Sequence, residues 1–216
     1  MLKASVSSFV ATVFSVSAAW ATPTQSVTFD FANDPQGWTL EQQTGWVASG
    51  GNPGGHLETF TRPFDEDYGN QAHAPASWAG DWRDLEDRAT ITFDYRLFDP
   101  GEAVNDYGRP SLYLSNGTIT ARWEFGPDIT DTTRWFSYSA PITLNSDWTV
   151  EGGTWEQLLQ NVTDVRIAFT TVSNNWYPQD LNGLDNVGIS IVPEPAMLMN
   201  CLLVPLVAAR RRASRL

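Results

Sequence analysis

Cysteine is almost absent from this 216-residue chain, and its one example, Cys201, lies near the C-terminus. With a single thiol no internal disulfide can form, so stability has to come from packing. Lysine occurs once, as Lys3, and histidine only as His56 and His73, which is too little for a zinc site of the usual composition. Neither Gly-x-Ser-x-Gly nor His-Glu-x-x-His occurs, so the nucleophile-elbow and zinc hydrolase templates have no foothold. The glycine-rich run Gly50 to Gly55 is not followed by a Lys-Ser or Lys-Thr helix start, and it reads as a tight turn rather than a phosphate cradle. Apolar runs long enough to cross a bilayer, about 18 residues or more, are also missing.

Two shorter apolar runs do occur, one at each end. Lys3 supplies a positive start, Val6 to Ala18 is apolar and small, and Ala19-Trp20-Ala21 fits the small-x-small site of a secretory signal peptide. Residues 1–21 are therefore expected to be removed on export, with cleavage after Ala21. At the other end, Pro193-Glu194-Pro195 opens an apolar-leaning run from Ala196 to Ala209 that stops at Arg210-Arg211-Arg212. As a helix this run rises only about 21 Å, short of the roughly 30 Å hydrocarbon core, and Asn200 and Pro205 interrupt it. The arginines would be retained on the cytoplasmic side, which leaves everything before them outside.

Turn, short apolar segment and basic stop, in that order over residues 193–216, resemble the PEP-CTERM sorting tail of bacterial surface proteins. That resemblance implies an exosortase and the secretion machinery as partners, transient membrane insertion of the tail, and delivery to the cell surface or extracellular matrix. A weak C-terminal membrane helix is the alternative, and both readings export the domain.

The remaining residues, 22–192, suit one domain. They hold eight arginines, no lysine and 24 acids, a net charge of −16, which argues against nucleic acid as a partner. Strand signals dominate this segment. Val27, Phe29 and Phe31 alternate, and so do Ala89, Ile91, Phe93, Tyr95 and Leu97 opposite Thr90, Thr92, Asp94 and Arg96. Leu112 and Leu114 precede Asn116-Gly117, the strongest short hairpin signal, and Ile119, Ala121, Trp123 and Phe125 follow it. Val165, Ile167 and Phe169 form another row, and Val187, Ile189 and Ile191 close the domain. One short helix is expected where Thr154 and Gln157 make a capping box ahead of Leu158, Leu159 and Val162. The result is an all-β, antiparallel β-sandwich with one short helix.

Several landmarks recur in a familiar order: Gly37-Trp38, Gly50 to Leu57, Ala74-Pro75 with Gly80-Asp81, Trp135 with Tyr138, Leu158 to Thr163, and Leu184-Asp185-Asn186-Val187. Together they resemble the laminin B domain over residues 29 to 191. The resemblance implies a jelly-roll sandwich related in shape to galactose-binding and carbohydrate-binding modules, with no assigned catalytic residues. This chain departs from it in its tryptophans, Trp78 and Trp82 among them.

Nine of the ten tryptophans fall within residues 22–192, more than a core of this size needs, so some are expected on the surface as platforms for polar ligands such as sugars. Trp82, Tyr107, Trp176 and Tyr177 sit in turn-rich stretches and are the candidate ligand-binding residues, with Arg109 as a hydrogen-bonding partner. Sandwich modules of this kind often hold a structural calcium where the first and last strands meet. By that resemblance Asp30 and Asp185 are candidate metal ligands, against a plain reading of Asp30 as solvent-facing and Asp185 as a turn acceptor. The expected function is a non-enzymatic, exported surface or extracellular-matrix protein with a structural or adhesive role. The alternatives are a carbohydrate-binding module acting on extracellular polysaccharide and a polysaccharide hydrolase, for which 24 acids nominate no pair.

Overall fold

The computed structural model describes residues 26–41, 44–61, 71–99, 107–172 and 180–192. Twelve strands run in chain order as β1 (Val27–Phe29), β2 (Thr39–Leu40), β3 (Thr44–Gly51), β4 (Gly54–Thr61), β5 (Gln71–His73), β6 (Ala89–Asp99), β7 (Tyr107–Ser115), β8 (Thr120–Glu124), β9 (Phe136–Pro141), β10 (Trp148–Glu151), β11 (Asp164–Val172) and β12 (Asp180–Ile191). A single α-helix, α1 (Trp155–Leu159), and two 3-10 turns at Ala76–Trp78 and Arg83–Leu85 complete the described elements.

The strands form two six-stranded antiparallel sheets. Sheet A has the order β3-β4-β12-β6-β9, with β1 on the second half of β12. Sheet B has the order β10-β8-β7-β11-β5-β2. Face to face they make a β-sandwich of jelly-roll type, as the strand alternation requires: one side of each strand must be covered and the other solvated.

The expected inward rows are buried. Ala89, Ile91, Phe93, Tyr95 and Leu97 of β6 face Leu112 and Leu114 of β7 and Val165, Ile167 and Phe169 of β11. Each such Leu, Ile or Phe contributes about 1.5–3 kcal/mol through removal from water. Aromatic rings tie the sheets across the core: Phe93 meets Phe125 edge-on at 5.2 Å, and Tyr95 stacks on Phe169 at 6.1 Å. The buried Tyr95 hydroxyl donates to Asn182 Oδ1, which keeps that polar pair satisfied inside the sandwich.

Local chemistry sets the connections. Asn116 Oδ1 accepts from the backbone N–H of Thr118 at 3.1 Å and of Ile119 at 2.8 Å, while Gly117 takes a φ of +88°, so β7 and β8 turn tightly and pair Ser115 with Thr120. Thr154 and Gln157 make the reciprocal capping box of α1, with bonds of 3.3 and 3.1 Å. The helix turns Trp155, Leu158 and Leu159 into the core.

Tryptophan behaves differently from expectation. Trp38, Trp78, Trp82, Trp148 and Trp155 are buried, and the other described tryptophans, Trp46, Trp123 and Trp135, keep only partial exposure. Trp82 is fully buried and its indole N–H donates to the Trp78 carbonyl at 2.8 Å, so it is a core residue and not a surface platform for a ligand. The surplus of aromatic residues closes the end of the sandwich, where Phe29, Phe31, Trp38 and Trp78 pack ring against ring at 5.8–6.2 Å. Replacing Trp82 by Ala is expected to lower unfolding free energy by about 3–5 kcal/mol in a denaturant titration. A change within 0.5 kcal/mol would mean that the indole is not part of the core.

Candidate functional site

Because Leu112, Leu114, Val165 and Ile167 must face the core, the alternate positions of β7 and β11 face outward, and pairing register lines them up across sheet B. Tyr113 stands opposite Arg122 of β8 on one side and Arg166 of β11 on the other. Arg166 stands opposite His73 of β5, and Arg122 opposite Thr149 of β10. One cross-strand row therefore reads Thr149, Arg122, Tyr113, Arg166, His73. The two guanidiniums flank the Tyr113 ring, at 5.5 Å for Arg122 and 4.9 Å for Arg166 from its centroid, and hold it upright on the sheet.

Each cation in the row has a carboxylate beside it. Arg122 reaches Glu124 at 2.6 Å, Arg166 reaches Asp164 at 3.7 Å, and His73 lies between Asp164 at 2.8 Å and Glu41 at 3.2 Å. Arg109, on the same face of β7, pairs with Asp128 at 2.5 Å and approaches Glu124 at 3.9 Å. The hydrogen bond to Asp164, with help from Glu41, holds the His73 pKa above its ordinary value despite partial burial. Alternating charges thus fix one another's orientation along the face while their outer lone pairs and N–H groups point to solvent.

Beneath these heads the face is unsatisfied. Seven buried side-chain polar atoms lack a hydrogen-bond partner among the described residues, and four of them belong to this face: Gln71 Oε1, Ser111 Oγ, Arg122 Nε and Arg166 Nε. A buried donor or acceptor without a partner costs about 1–3 kcal/mol, so these four atoms, sealed beneath the charged heads, are a cost of building the face rather than contacts for a ligand. A groove of about 470 Å³ opens along it, lined by Tyr113, Thr120, Arg122, Glu124 and Thr149 with Asp147 and Glu151 at the rim. The arrangement suits a polyhydroxylated neutral ligand: paired carboxylates accept from vicinal hydroxyls, guanidiniums donate to ring and glycosidic oxygens, and no net positive charge selects an anion.

Of the residues expected from sequence, Arg109 is on this face. The Tyr107 backbone lies at the start of β7, while its side chain, Trp176, Tyr177 and the sorting residues Pro193, Glu194, Pro195, Arg210, Arg211 and Arg212 lie outside the described residues. Tyr113, Arg122, Arg166 and His73 were not singled out by sequence reasoning. Their signal was the outward half of each strand pattern, which becomes a site only once β11 is known to lie between β7 and β5.

The other expected site sits on sheet A. Asp185 is fully buried on the outward side of β12, directly opposite Asp94 of β6, and the β3–β4 turn folds over both. Asp185 accepts from the backbone N–H of Asn52 and, at 2.7 Å, of Asn186. Asp94 accepts from Ser137 Oγ at 2.6 Å, Asn186 Nδ2 at 2.8 Å and Asn52 Nδ2 at 3.1 Å. Asp30 instead accepts from Ala32 N–H at 3.2 Å and Gln36 Nε2 at 3.0 Å. Calcium takes 6–8 oxygen ligands. Here each oxygen of Asp94 and Asp185 accepts from at least one N–H or O–H donor, both donors to Asp30 fall on Oδ1, and no group of three or more His, Cys, Asp or Glu side chains among the described residues is placed to hold a metal. Desolvation by burial, reinforced by Asp94 and Asp30, pushes Asp185 up to about 6.

No family model matches the chain, and no curated protein matches it. Among solved structures, an agarase matches 76% of this chain and 26% of its own at 13% identity, with a TM-score of 0.51. An exo-beta-agarase matches 79% of this chain and 26% of its own at 14% identity, with a TM-score of 0.50. The chain therefore spans about a quarter of the length of either agarase. A family 11 carbohydrate-binding module from Clostridium thermocellum, in complex with a beta-1,3-1,4-mixed-linked tetrasaccharide, matches 78% of this chain and 97% of its own at 17% identity, with a TM-score of 0.45. At these identities the likeness is one of fold.

The buried Asp pair has a pH signature. Between the ordinary 3.8 and about 6 the folded protein keeps a proton on Asp185 that the unfolded chain releases, so this residue makes stability fall as pH rises through that window. The penalty above it is about 3 kcal/mol at most. His73 acts in the same direction at higher pH: its contribution is complete below 6.5 and is lost as pH climbs through its raised pKa. In denaturant titrations, the stability of Asp185→Asn relative to the parent is expected to rise by up to about 3 kcal/mol between pH 4 and pH 6. Parallel pH profiles would remove Asp185 as the titrating group.

Proposed function

We propose that this chain is an exported, non-catalytic polysaccharide-binding protein, with the outer face of sheet B as its ligand surface and its C-terminal tail as its address. The observation that carries the reading is the row Arg122, Tyr113, Arg166, His73: alternating, mutually neutralised charges flanking an upright ring, with Arg122 and Tyr113 lining an open groove and Arg166 and His73 continuing the row beyond it. A sheet face built only for solubility has no need of two guanidiniums sandwiching an upright ring. The fold shared with two agarases brings polysaccharides forward as the ligand class to test first.

Catalysis finds less support. The carboxylates of the cross-strand row, Glu124, Asp164 and Glu41, each lie against Arg122, Arg166 or His73, and the one carboxylic acid with a strongly raised pKa among the described residues, Asp185, is sealed under the β3–β4 turn on the other sheet. Adhesion to an extracellular polymer follows from glycan binding by a protein that the tail of residues 193–216 delivers to the surface.

Affinity electrophoresis in gels containing agarose, xylan or mixed-linkage glucan tests the binding face. The parent protein is expected to be retarded by at least one of them, and Tyr113→Ala and Arg166→Ala to lose about tenfold or more in affinity with unchanged circular dichroism. Retardation that survives both substitutions would place the ligand elsewhere. For the tail, removal of residues 193–216 is expected to move the protein from the cell-associated fraction to the medium. An unchanged distribution would sink the sorting role.

A further inference from the structure

Where β8 ends, the two sheets part. Trp123, Phe136 and Tyr138 point inward by strand alternation, yet all three stay partly exposed because β10 pairs with β8 only as far as Trp123 and leaves the mouth of the sandwich open. A cavity of about 710 Å³ fills that opening, with these rings among its lining and Asp128, Asp131 and Asp147 at its edge. Its size lies within the range of pockets that enclose small ligands.

The Tyr138 hydroxyl projects from the floor. Its pKa is pushed up to about 12 by desolvation alone, and the phenol makes no hydrogen bond with another described residue. Aromatic floor, free hydroxyl and carboxylate rim together match a pyranose ring, which has apolar C–H faces and a polar circumference.

This cavity adjoins the sheet-B groove around the end of β8. Glu124 and Asp147 line both, and the Arg109–Asp128 pair fastens the β8–β9 loop, which forms the cavity wall, to the groove face. We propose that the cavity is a second subsite, taking the terminal or branching sugar of the same neutral polysaccharide whose main chain lies along Tyr113. The inference rests on the glycan-binding reading above and extends it from a groove to a groove with a capped end.

Isothermal titration of the full chain with agaro-, xylo- and mixed-linkage gluco-oligosaccharides, from disaccharide to octasaccharide, tests it. Two variants address the cavity: Tyr138→Phe removes only the hydroxyl, and Thr130→Trp fills the space from an exposed loop position. In the parent, affinity is expected to climb with ligand length and then level off once the ligand reaches from groove to cavity. Both variants are expected to lose about tenfold for the longest ligands and nothing for the shortest. Equal affinities for parent and cavity variants at every length, with Tyr113→Ala still defective, would overturn the second subsite alone. A binding defect in the cavity variants with Tyr113→Ala unaffected would keep the cavity as a sugar site but overturn its coupling to the groove. No binding by the parent in any series would overturn both readings.

Discussion

The register of β7 between β8 and β11 is the constraint on which the rest depends. Side chains alternate across a strand, so a slip of one residue would exchange Leu112 and Leu114 for Ser111, Tyr113 and Ser115 in the core. The burial of the two leucines, the Asn116-Gly117 turn and the antiparallel partner on each side all select the same register. Tyr113 then has only one place to go, outward between Arg122 and Arg166. The proposed ligand face is the reverse side of the hydrophobic core, and its chemistry is fixed by the same pairing that excludes water beneath it.

The two sheets use their outer faces differently. On sheet B the charges remain at the surface, screened and paired, where they orient one another and stay open to solvent. On sheet A the carboxylates Asp94 and Asp185 are covered by the Asn52 turn and spend their acceptors on internal donors. His56, buried between Phe98 at 5.0 Å and Trp135 at 5.7 Å with its pKa lowered by desolvation, belongs to the same closed surface. Sheet A is thus the supporting layer, and sheet B faces solvent with a polar, open groove. An acidic chain with no lysine in residues 22–192 can present a usable polar face only by interleaving its few arginines among its many carboxylates, as β7, β8 and β11 do.

Much of the fold was legible because its determinants are local. The inward row of β6, the β7–β8 hairpin and the capping box of α1 each follow from fewer than about twelve consecutive residues. The site was not legible for the complementary reason. Arg122, Tyr113, Arg166 and His73 come from four strands, and their adjacency exists only through nonlocal pairing. Asp185 was recognised as a residue of interest, but its partner Asp94 looked like an ordinary solvent-facing position of β6 until β12 was placed beside it. Trp82 misled in the opposite direction: polar, turn-rich neighbours suggested exposure, whereas the chain folds that turn onto the core and closes it with the indole.

The most direct test of the central claim is a crystal structure of the protein with a bound oligosaccharide from whichever polysaccharide retards it. The account predicts density for the sugar chain over the Arg122, Tyr113 and Arg166 row, with hydroxyls against Glu124 or Asp164. Ligand bound on the outer face of sheet A, or held without contact to that row, would contradict it.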